Sequence, residues 1–372
     1  MHSLLLALTL LAPPPDSTLV LLHGQYLDVD AGVVVENGAL VMRGGRIAEM
    51  HTPEERFLPP AGATVRDLTG QTILPGLIDA HVHLTLSGDP AANALATLRA
   101  GFTTVIDLGS VGGAGVQLRD AIREGKTRGP RIIAAGSWIG SKGGVCEFGK
   151  ATVSTPAEAT ARARADLAAG ADLLKVCVTG WPADAVAAPD SVEFAAPLLD
   201  PVLSVARRAK APVYAHAIGQ AGALLAAGRG VRALAHTPIV DSAAARTLAR
   251  SHVTLISTLA TLTAGPDSLA LRASFARLRQ AGVPVVLGTD AGVLPHGQNA
   301  AELVALTRAG LTPLEALRAA TAAPARLLGR KDLGRIALGA TADLVAVPGE
   351  PLQDITLTTH PSLVVSGGRI VD

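Results

Sequence analysis

Hydrophobic residues recur through the middle of the chain in short runs, each followed by a turn and then by a stretch rich in Ala, Leu and Arg. The runs are typical of buried strands, and the stretches between them have the composition of helices. Strands are predicted at 74–83, 103–108, 131–136, 172–178, 212–217, 232–237, 253–258 and 284–290. Helices are predicted most clearly at 156–170, 198–210, 218–230, 242–251 and 268–282. This α/β alternation predicts a closed parallel (β/α)8 TIM barrel over residues 73–330, with catalytic residues at the carboxyl ends of its strands.

The two ends of the chain have a different pattern. Residues 18–72 contain β-branched runs broken by Asp-Ala-Gly, Glu-Asn-Gly and Gly-Gly turns, and residues 331–372 return to the same style. The tetrapeptide Gly-Gly-Arg-Ile occurs in both segments, at 44–47 and 367–370. We therefore predict a small β-sandwich domain formed from both termini, with the barrel inserted between its halves.

The first 17 residues contain an apolar stretch from Leu4 to Ala12, followed by three prolines. This stretch is too short to span a bilayer but suits the core of a signal peptide. It lacks a preceding Lys or Arg and a clean cleavage motif, which leaves a cytoplasmic protein with an apolar N-terminal segment as the alternative. The expectation is export, with the mature protein periplasmic or secreted.

Composition narrows the partners of the protein. Hydrophobic residues make up 49% of the chain, enough for a large core, and the formal net charge is +1 without a run of like charges. Such a sequence indicates no charged patch that would bind nucleic acid or an anionic membrane. A small-molecule substrate is therefore expected. Homo-oligomer formation is left open. The only cysteines, Cys146 and Cys177, lack the spacing of a zinc site and leave a single disulfide open.

Histidines occur within apolar sequence at the ends of predicted strands. In the segment LPGLIDAHVHL, at 74–84, the alternation of a strand places Asp79, His81 and His83 on one face. Other metal-competent side chains fall at the ends of later predicted strands: Lys175, His216, His236 and Asp290. A single strand-end His is often a hydrogen-bonded structural residue, and an Asp there can cap the next helix. Six such groups at strand ends of one barrel instead indicate a shared site.

Several segments resemble the metal-dependent amidohydrolase superfamily, in particular its imidazolonepropionase-like and prolidase-like branch. They are PGLIDAHVHL, AHAIG, ALAHTP, LGTDAG, LTPLEALRAATAAPARLLG and GATADLVAV, and the resemblance covers about residues 18–372. It implies a (β/α)8 barrel with a β-sandwich built from both termini. It also implies that His81, His83 and Asp290 bind one divalent ion, that His216 and His236 bind a second, and that a carbamylated Lys175 bridges them.

The residue types fit that chemistry. Neutral imidazoles and a carboxylate suit Zn2+ and leave a position open for water. Two ions at about 3.5–4 Å allow a bridging hydroxide to form at neutral pH and polarise the scissile carbonyl. Asp290 is the expected general base, which later protonates the leaving amine. A buried lysine whose pKa falls can add carbon dioxide and offer one carbamate oxygen to each ion.

Lys175 separates the alternatives. Imidazolonepropionases resemble this chain but use one metal and no bridging lysine, whereas prolidase-like and carboxypeptidase-like relatives carry Lys at this strand. A third interpretation pairs Lys175 with Asp172 at the surface, although the apolar neighbours in LLKVCV favour burial. We favour two metals.

Other candidates have weaker support. Asp79 and Asp107 are equally compatible with accepting imidazole N–H groups and with structuring turns. His296 is compatible with substrate contact or with a solvated loop, and four other histidines are expected to be structural or superficial: His23, His51, His252 and His360. The segment 137–150 departs from relatives that carry His-Gly there; Lys142, Glu147 and Lys150 are candidates for substrate recognition instead.

The leading hypothesis is a metal-dependent hydrolase of a small amide, such as a dipeptide or an N-acyl amino acid, acting through the bridging hydroxide with Asp290 as general base. The alternatives are a mononuclear cyclic-amide hydrolase and a lactonase or phosphotriesterase with the same ligands. A remote alternative is a non-catalytic barrel, which the complete set of six groups disfavours.

Overall fold

A computed structural model describes residues 18–181, 191–236, 238–262 and 268–372. The predicted signal peptide, at 1–17, and parts of the loops after the fourth and seventh barrel strands lie outside the described residues. The strands are β1 Leu19–Leu22, β2 Gln25–Asp28, β3 Val33–Glu36, β4 Ala39–Arg43, β5 Arg46–His51, β6 Thr64–Asp67, β7 Gln71–Pro75, β8 Leu77–Val82, β9 Phe102–Asp107, β10 Arg131–Ser141, β11 Thr152–Val153, β12 Leu173–Cys177, β13 Val213–His216, β14 Ala233–Ala235, β15 Thr254–Ile256, β16 Val285–Val286, β17 Leu344–Pro348, β18 Leu363–Ser366 and β19 Arg369–Ile370.

Helices follow the strands of the central part. They are α1 Pro90–Arg99, α2 Ala114–Arg123, α3 Pro156–Ala168, α4 Ala196–Ala209, α5 Gln220–Gly228, α6 Ser242–Arg250, α7 Leu259–Leu262, α8 Ser268–Gln280, α9 Ala301–Arg308, α10 Pro313–Ala319 and α11 Ala322–Leu327. Local sequence defines several of their starts. Thr155 and Glu158 form a capping box at the start of α3, where Pro156 occupies the first turn.

The central strands form a parallel sheet in the order β8-β9-β10-β12-β13-β14-β15-β16, and β11 pairs with β10. The sheet closes because the backbone after β16 bonds back to β8: Ala80 N donates to Leu287 O at 2.9 Å, and Asp290 N donates to His81 O at 2.8 Å. Each of the eight predicted strands overlaps one of these strands. The predicted (β/α)8 barrel is confirmed.

Strands from both ends of the chain form two further sheets, as predicted. One has the order β5-β4-β1-β6 and the other β19-β18-β17-β7-β2-β3. Apolar side chains from both sheets pack into one buried cluster, which includes Leu21, Met42, Ile73, Leu344 and Val365. Along the chain, the barrel is therefore inserted between the two segments that form a separate small β domain.

The predicted first barrel strand, 74–83, is wrong at its start. Residues Gln71–Pro75 belong to the six-stranded sheet, where they pair with β17, and the barrel strand begins at Leu77. Gly76 makes the change of sheet possible, because a Cβ there would lie 2.2 Å from Thr103 Oγ1 and 2.7 Å from Asp343 Cβ. A continuous apolar run therefore serves two sheets.

Among the described residues, no helix has the length and apolar character needed to cross a membrane.

Candidate active site

The six strand-end residues predicted to form a site lie together at the carboxyl end of the barrel. We call them the polar cluster: His81, His83, Lys175, His216, His236 and Asp290. All six are buried and line one cavity of about 660 Å3. The structure thus brings every predicted site residue into one place, whereas their individual roles stay predictions.

Residues at the ends of the first and eighth barrel strands contact one another within the polar cluster. Nε2 of His81 and Nε2 of His83 lie 3.1 Å apart, and they lie 3.3 and 3.2 Å from Oδ1 of Asp290. A potential ligand atom of His236 also falls within 4.8 Å of those of His81 and Asp290. Nitrogen and carboxylate ligand atoms thus converge on one point.

Backbone strain accompanies three residues at this end of the barrel. His236, Thr258 and Asp290 have φ values of +74°, +122° and +58°, a region that residues with a Cβ rarely adopt. Such strain persists only where the surrounding structure enforces it, and it concentrates at functional sites. Two of the strained residues belong to the polar cluster, and the third, Thr258, has its Oγ1 3.0 Å from Nδ1 of His236.

Hydrogen bonds define which ring nitrogens face the cavity. Nδ1 of His83 donates to Gly109 O at 3.4 Å, and Nε2 of His216 donates to Gly180 O at 3.2 Å. Because a carbonyl oxygen only accepts, the other nitrogen of each neutral ring carries a lone pair. Nδ1 of His236 lies 3.0 Å from Thr258 Oγ1, which leaves its Nε2 for the cluster.

Burial sets the protonation of the polar cluster. It lowers the pKa of His216 to about 4 and holds the pKa values of His81 and His236 well below their ordinary value. Burial also lowers the pKa of Lys175 to about 7, against the attraction of Asp290. For Asp290, burial would raise the pKa, but the neighbouring imidazoles of His81, His83 and His236 hold it well below its usual range.

This donor set fits a metal ion. In its neutral form, His83 presents a lone pair to Asp290 Oδ1 at 3.2 Å, so two acceptors face each other. Nδ1 of His81 is buried without a hydrogen-bond partner among the described residues. A divalent cation would satisfy the converging acceptors, and neutral imidazoles with an ionised carboxylate are suitable ligands for it.

Asp79 and Asp107 accept hydrogen bonds from backbone N–H groups, and Asp79 also accepts from a hydroxyl and an amide side chain; among the described residues, none of these donors is an imidazole ring. Asp79 accepts from His81 N at 3.0 Å and from Thr289 Oγ1 at 2.6 Å, and so ties the first strand to the eighth. Asp107 accepts from Leu84 N at 3.1 Å. Burial raises the pKa of both carboxyls to about 6. They structure the turns that carry the histidines.

Glu302 supports the site in a way that the sequence analysis missed. Its carboxylate is fully buried and accepts from the backbone N–H groups of Thr258, Leu259 and Ala260, at 3.0, 2.9 and 2.6 Å. It thereby fixes the turn whose Thr258 hydroxyl contacts His236. No motif indicates this role, because Glu302 lies 44 residues further along the chain than Thr258.

Segment 137–150 contributes different residues to the cavity wall from those predicted. Lys142, Glu147 and Lys150 are exposed and do not line the cavity, so their predicted use in substrate recognition is not supported by their positions. The segment instead contributes Trp138 and Phe148 to the wall. Both side chains lie in a Gly-rich part of the sequence that has neither a helical nor a strand period. The sequence therefore gives no indication of which way they point.

Other histidines stay outside the wall. Nδ1 of His296 lies 3.2 Å from Thr97 Oγ1, and His296 is not among the cavity-lining residues. The remaining four also lie elsewhere: His23, His51, His252 and His360. Lys175 is buried, and Asp172 pairs with Arg119 at 2.6 Å, so the surface pairing of Lys175 with Asp172 is wrong.

The two cysteines form a disulfide at the cavity. It joins Cys146, in the loop after the third barrel strand, to Cys177, two positions beyond Lys175 at the end of the fourth. Cys146 lines the cavity, and both side chains pack with Trp138. The disulfide therefore attaches the wall-forming loop to a strand of the barrel.

Replacing both cysteines by serine should lower the free energy of unfolding by about 3–4 kcal/mol, since the bond closes a loop with a sequence separation of 31 residues. Denaturant unfolding of the wild type and of Cys146→Ser/Cys177→Ser measures this difference. Adding a reductant should bring the wild type close to the variant. Equal midpoints under oxidising conditions would show that the bond contributes nothing to stability.

Comparison with known proteins places this geometry in a family. The model of the Amidohydrolase family matches residues 72–371. An imidazolonepropionase of Anaeromyxobacter sp. (strain K) is 30% identical, over 96% of this chain and 96% of that protein. An ochratoxinase of Aspergillus niger is 26% identical, over 97% and 88% of the two chains.

A solved structure shows the same architecture. It is a Xaa-Pro dipeptidase with methionine bound in its active site, 28% identical, with a TM-score of 0.87 over 95% of this chain and 99% of that one. The resemblance indicated by the sequence motifs is confirmed over most of the chain. This protein belongs to the amidohydrolase family.

Proposed function

We propose that this protein is a metal-dependent hydrolase that cleaves the C–N bond of a small amide. The observation that carries the proposal is the convergence of two Nε2 atoms, from His81 and His83, on Oδ1 of Asp290 at the bottom of a cavity. Hydrolases among its relatives support the reaction class, and one solved structure that it resembles is named a Xaa-Pro dipeptidase, an enzyme that cleaves a peptide bond.

Two divalent ions, most suitably Zn2+, would be held by the polar cluster. His81, His83 and Asp290 would hold one, and His216 and His236 the second. Bound there, the ions would supply Lewis acidity to the scissile carbonyl and lower the pKa of the attacking water. The converging lone pairs and the neutral state favoured for the buried rings support this assignment.

Lys175 would act as a carbamate between the two ion positions. Its Nζ adds to the carbon of CO2, forms one N–C bond and releases one proton, which leaves an anion with two oxygens. Complete burial and a pKa lowered to about 7 support the free amine that this reaction needs. The same residue as an ammonium would place a third cation beside the two divalent ions.

Asp290 would move the proton of the reaction. Oδ1 faces the two imidazoles, so we assign Oδ2 as the atom that accepts and later donates the transferred proton. The carboxylate takes a proton from water as the water oxygen bonds to the carbonyl carbon. It returns that proton to the amide nitrogen as the C–N bond breaks, which releases a neutral amine.

A single-ion hydrolase of a cyclic amide is the second candidate. His81, His236 and Asp290 offer ligand atoms within 4.8 Å of one another, and these three side chains would hold one ion without Lys175. The similarity to an imidazolonepropionase supports this alternative. Lactones and phosphotriesters remain candidate substrates because the same ligands suit their hydrolysis.

A substrate panel tests the reaction class. Metal-supplemented protein is assayed with dipeptides, N-acyl amino acids, neutral amides, lactones and a phosphotriester. We expect amine release from at least one amide and its loss after removal of metal by a chelator. Turnover of lactones or phosphotriesters with no amide turnover would overturn the proposed bond specificity.

We also propose that the protein is exported. The apolar segment Leu4–Ala12 motivates this proposal, and the Cys146–Cys177 disulfide supports it, because structural disulfides persist in oxidising compartments. N-terminal sequencing of protein from its native host should find a start between Pro13 and Thr18. An intact Met1 on a cytoplasmic species would contradict export.

A further inference from the structure

Aromatic side chains are scarce in this protein and concentrated at the cavity. The chain has two Trp, two Tyr and five Phe, and three of these nine line the cavity, including both Trp. We call Trp138, Phe148 and Trp181 the aromatic wall. The ring of Trp181 stacks on His216, with centroids 5.9 Å apart, and Trp138 lies 5.2 Å from His83. Aromatic surface thus borders the polar cluster directly.

The cavity also has an apolar edge. Leu86, Phe148 and Val293 line it and are 37%, 54% and 56% exposed, although large apolar side chains are usually buried. They come from loops after three different barrel strands, the first, third and eighth, so the fold brings them together only at this opening. Exposed apolar groups grouped at a cavity indicate contact with an apolar part of a ligand.

Among the described residues, the aromatic wall and the apolar edge contain no Lys or Arg. Lys175 is the only Lys or Arg that lines the cavity among the described residues, and it belongs to the polar cluster. The sequence places no Lys or Arg in 1–17, 182–190, 237 or 263–267, so the undescribed segments hold none. Lys142 and Lys150, in the loop that carries Phe148, are exposed and do not line the cavity.

This absence bears on the substrate. A carboxylate buried without a cation or several hydrogen-bond donors carries a large desolvation cost. Free dipeptides and N-acyl amino acids both place a carboxylate one carbon from the scissile nitrogen. Outside the polar cluster, however, the described lining of the cavity consists of aromatic and aliphatic side chains and the disulfide-bonded Cys146.

We propose that the aromatic wall and the apolar edge select a neutral amide, one that carries an aromatic or bulky apolar group and no carboxylate beside the scissile bond. The inference rests on the proposed amide hydrolase for the reaction and narrows its substrate class. It excludes free dipeptides as preferred substrates. Recognition, unlike turnover, is measurable without metal.

Binding is measured first, by tryptophan fluorescence, because both tryptophans of the chain line the cavity. The matched probes are N-phenylacetyl-2-phenylethylamine and N-phenylacetyl-L-phenylalanine, which differ only by a carboxylate. We expect metal-free protein to bind the neutral amide at least tenfold more tightly. Equal or tighter binding of the carboxylate would overturn the inference.

Variants at the apolar edge test whether these side chains cause the preference for the neutral probe. Phe148→Ala should weaken binding of the neutral probe about tenfold, because an aromatic contact is lost. Leu338→Ala, a control at an apolar residue 66% exposed and off the cavity wall, should bind like the wild type. Val293→Arg should tighten binding of the carboxylate probe at least fivefold. Unchanged binding in both Phe148→Ala and Val293→Arg would show that the edge does not contact the ligand.

Turnover of the same two probes by metal-supplemented protein separates the two proposals. Faster hydrolysis of the neutral amide supports both. Faster hydrolysis of the carboxylate overturns the proposed substrate class and leaves the amide hydrolase standing. If the protein binds the neutral probe more tightly but hydrolyses none of the amides in the panel, the proposed reaction is wrong. The proposed class of ligand, a neutral amide with an apolar group, would still be supported.

Discussion

Asp290→Asn is expected to lower kcat by at least about a thousandfold while the protein stays folded. The amide oxygen of asparagine can still face His81 and His83, so the contacts at 3.3 and 3.2 Å have a nearly isosteric replacement. The amide cannot take the proton of water or return it to the leaving amine. Steady-state kinetics together with metal analysis of the same preparation measures both consequences.

Asp89→Asn is a matched control for this substitution. Asp89 is exposed, follows the first barrel strand and caps α1 through bonds to Ala91 N and Ala92 N. Asparagine is an equally good N-cap, so kcat should not change. A kcat of Asp290→Asn within tenfold of the wild type would remove Asp290 from the role of general base.

Lys175→Ala is expected to lose most of the activity and about one of two bound ions. Two cations a few ångströms apart in a buried site repel strongly unless an anion lies between them. The deleted side chain leaves room for a short carboxylic acid. Formate, acetate or propionate with excess Zn2+ should therefore restore part of the activity, and Lys175→Glu should retain more activity than Lys175→Ala.

Lys142→Ala is the control for the loss of a lysine, because Lys142 is exposed and does not line the cavity. It should keep full activity and show no response to added carboxylates. A Lys175→Ala protein with normal activity and metal content would eliminate the carbamate bridge. The single-ion alternative would then take its place.

The barrel and the polar cluster could be predicted because each depends on local sequence. Strand ends are marked by a change from apolar to polar residues, and parallel strands bring their carboxyl ends to one side of a barrel. His81, His216 and Asp290 were therefore predictable neighbours although more than 200 residues separate the first and last. Their roles as ligands follow from chemistry and stay a prediction.

Features that depend on three-dimensional contact could not be predicted. The division of one apolar run between two sheets at Gly76 depends on the close approach of Thr103 and Asp343. The anchoring of the loop after β15 by Glu302 depends on hydrogen bonds between distant segments. Phe148 lies in a Gly-rich segment that the Cys146–Cys177 disulfide attaches to the fourth barrel strand, and no hydrophobic period in the sequence indicates the orientation of its side chain.

Metal content of the purified protein distinguishes a two-ion site from a one-ion site and from a site without metal. Elemental analysis of wild type, His81→Ala and the control His252→Ala, an exposed histidine off the cavity wall, gives the number of ions per chain. We expect close to two divalent ions in the wild type and in the control, and about one fewer in His81→Ala, since ligand removal lowers affinity. One ion per chain with full activity would support the single-ion hydrolase, and an active protein without bound metal would show that the hydrolysis is not metal-dependent.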